Sequence, residues 1–369
     1  MFANLYVNSK VISGKNCVTD NAELMAQFGE KCLIVTSGSA AEKSGALNDV
    51  VCALNKCGIG YAVFNKINEN PLVSTVIEGG KAARDADADF VIGIGGGSPL
   101  DAAKAVAICA ANPEYDIDGL YGRRIPSKAL PVVLVGTTAG TGSEVTGVSV
   151  LTNDKNMQKK SISGVDCYAA LVFADAKYTY SMGYDVTVST ALDALAHAVE
   201  GWFSPKCDAV ASVYAELALK RIYKALKVLA ENKALPDENV REDLYYGSVF
   251  AGLELNICGA AFPHTVGYVL TENYGIPHGK ACTALMPCFL TKAKKYECER
   301  FRQLLEILGE NEVELIDTIK ALTDVKNLDM TDEQLDEWCS RWQGNVKNFM
   351  NSPGGFTAEE AKKALKELS

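Results

Sequence analysis

The first half of the chain alternates short apolar runs with amphipathic segments, and this alternation constrains the fold more than any other feature. Apolar runs of strand length occupy residues 31–36, 59–64, 89–93 and 130–135. Helical periodicity lies between them, at residues 48–56, 75–84 and 99–111. Strands joined by helices form parallel sheets that are covered on both faces. The sequence therefore predicts an α/β domain built on a parallel sheet.

The second half has a different pattern. From about residue 188 the strand-length runs vanish and helical periodicity dominates, as in residues 212–229 and 299–308. The last segment, FTAEEAKKALKELS, begins with a threonine and two glutamates, which is typical of a helix start. A chain of 369 residues exceeds one typical core. We therefore expect two domains, an α/β domain over residues 1–180 and an all-helical domain over residues 181–369.

Composition excludes several classes of protein. A net charge of −10 argues against binding to nucleic acid or to an anionic membrane, since both need a basic surface. No run reaches the length of a transmembrane helix, and the first residues lack the pattern of a signal peptide. The 12 cysteines are scattered, with no C-x-x-C pair. We therefore expect a cytoplasmic protein with free thiols.

The clearest nucleotide signal is VIGIGGGSPLDAAKA, residues 91–105. A strand leads through Gly95, Gly96, Gly97 and Ser98 into a helix. Glycines let backbone N–H groups approach a diphosphate closely, and a helix N-terminus favours its negative charge. The motif is neither the G-x-G-x-x-G fingerprint nor a phosphate loop with Gly-Lys-Ser/Thr. A turn without a ligand is the alternative, but the strand–turn–helix order favours diphosphate binding.

Two further loops follow predicted strands. VGTTAGTGSEVTGVSV, residues 135–150, is rich in hydroxyls that could bond a ribose or nicotinamide, although a polar turn explains it equally well. After the first run stand Ser37, Gly38 and Ser39, with Lys43 close by. An Asp at this place would bind both ribose hydroxyls and repel a 2′-phosphate. Ser37 therefore favours NADP(H) over NAD(H).

The chain has only three histidines, and all of them suit a metal site. His197 follows Asp193 by four residues, so both would lie on one helix face. His264 and His278 stand fourteen residues apart, the latter in a Pro-His-Gly turn. A single histidine on an apolar helix is more often a core residue. Together, one carboxylate and three imidazoles predict a site for Fe²⁺ or Zn²⁺, and the ligand types do not distinguish the two.

These motifs resemble the iron-dependent (group III) alcohol dehydrogenases. The resemblance rests on GGGSPLDAAKA, TTAGTGSEVT, DALAHAVEGW and the stretch from His264 to GIPHGKACTALMP, in that order and spacing, and it covers nearly the whole chain. It implies a dehydroquinate synthase-like architecture, with a dinucleotide-binding α/β domain, an all-helical metal-binding domain and an active site between them. It also implies hydride transfer between NAD(P)(H) and a small alcohol or aldehyde, and a homodimer.

The resemblance also implies roles for single residues. It makes Asp193, His197, His264 and His278 the metal ligands. It places Gly96, Gly97 and Ser98 at the diphosphate, and Asp101 at the nicotinamide carboxamide. It brings three further residues of the second loop to the cofactor: Thr137, Thr138 and Ser143. Lys160 matches a lysine that reaches the cofactor ribose.

Two residues depart from the family pattern. Many members have a histidine, credited with proton transfer, where this chain has Tyr268; Tyr268, a water chain or a ribose hydroxyl could serve instead. Ser37 stands where NAD-preferring members carry Asp. Three alternatives stay open: a glycerol or polyol dehydrogenase, a dehydroquinate synthase-like enzyme, which would need a basic cluster near the histidines, and a nucleotide-binding protein without catalysis.

Overall fold

The computed structural model describes residues 7–344 and 346–369, and the chain divides into two compact units. The first unit extends to Met182 and the second begins at Gly183. All strands among the described residues lie in the first unit, and they are β1 (Lys10–Ser13), β2 (Lys31–Val35), β3 (Gly60–Phe64), β4 (Phe90–Gly95), β5 (Val132–Gly136), β6 (Val148–Thr152), β7 (Lys159–Ser163) and β8 (Leu171–Ala174).

Six of these strands form one parallel sheet in the order β1-β8-β5-β4-β2-β3. The central strands are buried because their sequences are continuously apolar, as in FVIGIG of β4 and VVLVG of β5. The remaining two strands, β6 and β7, pair as an antiparallel hairpin. The sequence did not predict β1, β8 or this hairpin, because β1 and β8 have four residues each and β7 reads KKSIS.

The sheet order places the three candidate nucleotide loops at neighbouring strand ends. Residues 36–39 follow β2, residues 96–98 follow β4 and residues 137–142 follow β5, and β4 pairs with both β2 and β5. The carboxyl ends of parallel strands lie at one edge of a sheet, which is where ligands bind in open α/β folds.

The helices of the first unit are α1 (Cys17–Asp20), α2 (Ala40–Lys43), α3 (Ala46–Lys56), α4 (Val73–Asp85), α5 (Gly97–Ala111) and α6 (Ile117–Tyr121). Short 3₁₀ turns cover Ala22–Phe28, Ser143–Val145, Val165–Cys167 and Ala176–Thr179. The helices of the second unit are α7 (Tyr184–Trp202), α8 (Ala209–Asn232), α9 (Glu238–Cys258), α10 (Phe262–Tyr274), α11 (His278–Thr283), α12 (Met286–Tyr296), α13 (Cys298–Leu308), α14 (Glu312–Thr323), α15 (Asp332–Ser340), α16 (Lys347–Met350) and α17 (Ala358–Lys366).

Helix α7 lies at the centre of the second unit. It is buried over most of its length and packs against α8, α9 and α11. Thr357 and Glu360 form the reciprocal cap at the start of α17, as the terminal sequence predicted. The predicted fold class, a parallel sheet followed by a helical domain, is confirmed. No helix in the described part of the chain is long and apolar enough to cross a membrane.

Candidate metal and cofactor site

Three of the four predicted ligands converge within the second unit. Asp193 lies on α7, His264 on α10, and His278 is the first residue of α11. Asp193 Oδ1 lies 3.4 Å from His264 Nε2 and 3.8 Å from His278 Nε2. The fourth, His197, is one turn along α7 from Asp193, and its ring stacks on that of His264 with the ring centres 4.3 Å apart.

A cysteine completes a compact group of ligand atoms with these residues. The Sγ atom of Cys282, one turn into α11, lies 3.7 Å from His278 Nε2. One ligand atom each from Asp193, His264, His278 and Cys282 all lie within 4.8 Å of one another. His197 is not in that group. Cys282 was not predicted from the sequence, although H-x3-C places two side chains on one helix face just as D-x3-H does.

Glu200 fixes the orientation of His264. Like Cys282, Glu200 was not predicted from the sequence. The side chain of Glu200 is fully buried on α7, and its Oε1 accepts a hydrogen bond from His264 Nδ1 at 2.6 Å. Its Oε2 accepts from the backbone N–H of Ala261 at 2.5 Å, just before α10 begins. A carboxylate on one ring nitrogen leaves the other nitrogen available to a metal. Glu200 stands seven residues after Asp193, close to two helical turns, so periodicity alone could have indicated it.

Charge in this cluster favours a bound cation. Burial alone would raise the pKa of the Asp193 carboxyl, but His197, His264 and His278 outweigh it and hold that pKa well below its ordinary value. Burial alone would lower the pKa of the His264 imidazole, but Cys282, Glu200 and Asp193 hold it well above its ordinary value. Surroundings that attract a proton to His264 would also attract a divalent cation.

Two buried polar atoms in the cluster support the same conclusion. Among the described residues, no hydrogen-bond partner reaches Asp193 Oδ1 or His264 Nε2, the two atoms that face each other at 3.4 Å. Buried polar atoms are normally satisfied by hydrogen bonds, and a place for an ion is one explanation where they are not. The donor set therefore fits a divalent metal with nitrogen and oxygen ligands.

Tyr268 is placed beside this cluster. It lies one turn after His264 on α10, and its ring stacks on the His278 ring with centres 5.3 Å apart and planes 11° apart. The stacking restricts rotation of the His278 ring. The aromatic ring thus supports a predicted ligand, whatever the hydroxyl does in proton transfer.

In the first unit, glycines bring two predicted loops into contact. Gly95 has a φ of +146°, and Gly96 precedes α5, whose N-terminus has no side-chain cap from the described residues. A Cβ at Gly96 would lie 3.0 Å from Thr138 Cγ2, and one at Gly97 would lie 2.7 Å from Thr141 Cγ2. The glycines therefore allow the loop after β4 to pack on the loop after β5. The open helix N-terminus still fits an anion.

Asp101 and Ser143, both predicted cofactor residues, meet in a buried network. Ser143 Oγ donates to Asp101 Oδ1 at 2.5 Å, and the backbone N–H of Val150 donates to Asp101 Oδ2 at 2.9 Å. The fully buried Lys104 donates to Ser143 Oγ at 2.8 Å and to the Val148 carbonyl at 2.6 Å. The network joins α5 to the β6–β7 hairpin. Lys104, three residues after Asp101 on α5, was not singled out from the sequence.

Three other predicted cofactor residues have partners outside this network. Ser98 Oγ accepts from the backbone N–H of Asn70 at 3.3 Å, and the Thr137 N–H donates to the Gly95 carbonyl at 2.8 Å. Lys160 is exposed on β7, with its ammonium 4.5 Å from the centre of the Tyr121 ring.

The loop after β2 is held by an asparagine beyond β3. The Asn65 amide donates to the Gly38 carbonyl at 3.0 Å, and Thr36 Oγ1 bonds Asn65 Oδ1 at 2.9 Å. Ser37 is half-buried and Ser39 is exposed. Gly38 has a φ of +51°, in the left-handed region that favours glycine. The backbone of this predicted ribose loop is thus fixed while its serine side chains stay accessible.

Comparison with known proteins finds a family model for each unit. Residues 8–176 match the family model described as iron-containing alcohol dehydrogenase, and residues 187–367 match that of the Fe-containing alcohol dehydrogenase family, C-terminal. The 1,3-propanediol dehydrogenase of Citrobacter freundii is 33% identical over 77% of this chain and 73% of that protein. The chain belongs to the iron-containing alcohol dehydrogenase family and is an oxidoreductase.

Solved structures of the family superpose along the whole length. An iron-containing alcohol dehydrogenase from Thermotoga maritima has a TM-score of 0.91 at 32% identity and covers 99% of both chains. A sulfoacetaldehyde reductase from Bifidobacterium kashiwanohense, solved in complex with NAD⁺, has a TM-score of 0.88 at 27% identity and covers 100% of this chain and 99% of its own.

Replacing Glu200 with Gln is expected to weaken metal binding about 10- to 100-fold, the usual cost of losing an outer-shell partner. A Gln side chain has one acceptor oxygen, whereas Glu200 accepts from both His264 and Ala261. Competition between the protein and a chromophoric chelator for Zn²⁺ measures the effect. Glu254→Gln, at another fully buried glutamate, is the matched control. Equal affinities for wild type and Glu200→Gln would contradict the role of Glu200.

Proposed function

We propose that the chain interconverts a small primary alcohol and its aldehyde with a divalent metal and a nicotinamide cofactor, and that it favours NADP(H) over NAD(H). The observation that carries this proposal is the convergence of Asp193, His264 and His278, with two buried ligand atoms that lack partners among the described residues. Residues 181–369 would hold the metal and residues 1–180 the dinucleotide.

The proposed ligands are Asp193, His197, His264 and His278. In the described cluster Cys282 is the one other residue that could replace His197 as the fourth ligand. The family favours iron, whereas a thiolate would favour a softer metal such as zinc. A divalent cation bound there would act as a Lewis acid on the oxygen of the alcohol or aldehyde. The protein's part is to hold the ligands rigidly: Glu200 orients His264, and Tyr268 supports His278.

In the first unit, the N-terminus of α5 with Gly96, Gly97 and Ser98 would hold the cofactor diphosphate. A nicotinamide cofactor supplies or accepts the hydride. Thr137, Thr138 and Ser143 would line the cofactor from the second loop, Asp101 would meet the carboxamide, and Lys160 would meet the ribose. Both oxygens of Asp101 already accept hydrogen bonds, which would hold its carboxylate in one orientation.

Tyr268 is proposed to take part in proton transfer, because it lies beside a metal ligand where related proteins have a histidine. Its ring is half-buried against His278. A phenol can donate or accept a proton through its hydroxyl. A homodimer and a cytoplasmic location remain predictions.

The function is tested by cofactor oxidation with butanal, using metal-depleted protein reloaded with Fe²⁺ or Zn²⁺ under anaerobic conditions. We expect turnover only after reloading, and faster turnover with NADPH than with NADH. Turnover that favours NADH would support the proposed reaction but contradict the proposed preference for NADP(H). Binding of metal and nucleotide without turnover on small aldehydes would contradict the proposed reaction.

Ser37→Asp is expected to shift the ratio of kcat/KM for NADPH over NADH by at least about tenfold toward NADH, or ~1.4 kcal/mol. The added carboxylate would repel a 2′-phosphate and accept hydrogen bonds from a 2′-hydroxyl. Steady-state kinetics with both cofactors measure the ratio. Ser212→Asp on α8, in the other unit, adds the same charge and is the control. An unchanged ratio in Ser37→Asp would exclude residue 37 as the determinant.

A further inference from the structure

Outside the metal cluster, the second unit contains a pair of cysteines in contact with each other. Cys207 lies in the loop between α7 and α8, and Cys258 is the last residue of α9. Ser204, in the same loop as Cys207, donates from its Oγ to the Cys258 carbonyl at 3.4 Å, so this loop lies against the end of α9. Cys207 is half-buried whereas Cys258 is fully buried. Cys207 is thus the more exposed residue of the pair.

One cation, Arg300, lies against Cys207 and outweighs the opposing charge of the neighbouring Asp208 carboxylate. The Arg300 Nη2 atom on α13 donates to the Cys207 sulfur at 3.2 Å. The Arg300 guanidinium also lies over the Trp202 ring, 4.6 Å from its centre, and the Trp202 indole donates to the Arg300 carbonyl at 3.0 Å, so this cation is held in place. Cys207 directly precedes Asp208, the N-cap of the 24-residue helix α8. A guanidinium and a helix N-terminus both stabilise a thiolate.

The pKa values of the two thiols shift in opposite directions. The hydrogen bond from Cys258, together with Arg300, lowers the pKa of the Cys207 thiol to about 7 despite its burial. The same contact and burial raise the pKa of Cys258. Burial raises the pKa of the Glu254 carboxyl, in contact with Cys258, well above its ordinary value. This shift favours the neutral form of Glu254 beside the two thiols.

We propose that Cys207 is a nucleophilic thiol with Cys258 as its resolving partner, and that a hydroperoxide converts the pair into an intramolecular disulfide. The inference rests on the Arg300 contact with the Cys207 sulfur, on the hydrogen bond that holds the Cys207 loop against the end of α9, and on the difference in exposure. The opposite pKa shifts of the two thiols support it. The metal cluster uses neither cysteine, so the site is separate from the proposed dehydrogenase reaction.

The reaction has two steps. The Cys207 thiolate attacks the distal oxygen of the hydroperoxide; an S–O bond forms, the O–O bond breaks, and the leaving alkoxide or hydroxide takes a proton from solvent. The Cys258 sulfur then attacks the sulfenic sulfur of Cys207; the S–S bond forms, the S–O bond breaks, and the Cys258 proton leaves with the hydroxide as water. Sulfur loses two electrons in total and the peroxide gains them.

The test uses the full chain loaded with Zn²⁺, which avoids peroxide chemistry at iron. The reduced protein is treated with hydrogen peroxide near pH 7, quenched with acid and a maleimide, digested and examined by mass spectrometry. We expect a cross-linked peptide that joins Cys207 to Cys258. Cys52 and Cys298, both exposed, serve as controls within the same chain and should be oxidised more slowly.

Variants separate the two roles. Cys258→Ser should accumulate the Cys207 sulfenic acid, trapped with dimedone, and Cys258→Ala should do the same if serine disturbs the fold. Arg300→Gln should slow oxidation of Cys207 by about tenfold, since less thiolate is present. Oxidation of Cys52 or Cys298 as fast as Cys207 would overturn the proposal, because exposure alone would then set reactivity. A stable Cys207 sulfenic acid in the wild type would overturn the role of Cys258.

Discussion

His278→Ala is expected to abolish metal binding and dehydrogenase activity together. The imidazole Nε2 lies 3.8 Å from Asp193 Oδ1, in the group whose ligand atoms all lie within 4.8 Å of one another. His278 is half-exposed at the start of α11, so its loss disturbs the core less than the loss of the buried Asp193 or His264. We expect kcat/KM to fall by about 10³-fold or more, which is ~4 kcal/mol of transition-state stabilisation.

Metal content by elemental analysis and steady-state kinetics on the same preparation measure this effect. Cys282→Ala is the informative companion, because it removes the other α11 side chain of the cluster. With the ligand set proposed above, Cys282→Ala keeps one metal per chain and His278→Ala keeps none. Loss of metal from Cys282→Ala would assign a ligand role to the thiol. Full activity in a metal-free His278→Ala protein would refute the site.

Much of the candidate metal cluster could be predicted from the sequence, because helix geometry converts residue spacing into position. The i, i+4 spacing of Asp193 and His197 predicts one helix face, and both lie on α7. The same spacing joins His278 to Cys282, but cysteine is a common buried residue, and only the tertiary structure brings its sulfur next to the histidines. Local sequence therefore indicates which helices carry the candidate ligands, but it does not decide whether His197 or Cys282 would be the fourth.

The two buried charged residues were harder to predict than the histidines of the cluster. Glu200 and Lys104 have no exposed surface, although charged residues are rarely buried without partners. Each is buried because residues distant in sequence supply its hydrogen bonds: His264 and Ala261 for Glu200, Ser143 and Val148 for Lys104. Sequence periodicity places a charge on a helix face but does not reveal partners that lie 39 to 64 positions away.

The Pro-His-Gly turn also shows what the sequence alone does not explain, namely why a glycine follows His278. In the sequence Gly279 follows a predicted ligand, and the proline and glycine on either side of His278 suggest a fixed turn. The structure supplies the physical reason for glycine. A Cβ at Gly279 would lie 1.9 Å from the Ser189 carbonyl oxygen and 2.7 Å from the Asp193 backbone nitrogen, both on α7. The missing side chain lets α11 lie directly against α7.

Gly279→Ala is therefore expected to destabilise the second unit severely. The clash is with backbone atoms of a buried helix, which cannot move aside as a flexible side chain would. We expect a loss of about 3 kcal/mol or more, at the upper end for overpacking, seen as a thermal midpoint lower by about 6 °C or more in metal-free protein. Any relaxation must separate α11 from α7, so His278 moves away from Asp193 and metal affinity falls as well.

Gly183→Ala is the matched control for this substitution. A Cβ there would meet nothing within 4 Å, and its φ of −67° suits any residue, so the midpoint should change little. Differential scanning calorimetry and chelator competition on both variants separate the effect of the clash from that of adding a methyl group. A Gly279→Ala protein with the wild-type midpoint and metal affinity would show that α11 does not depend on this close approach to hold His278 beside Asp193.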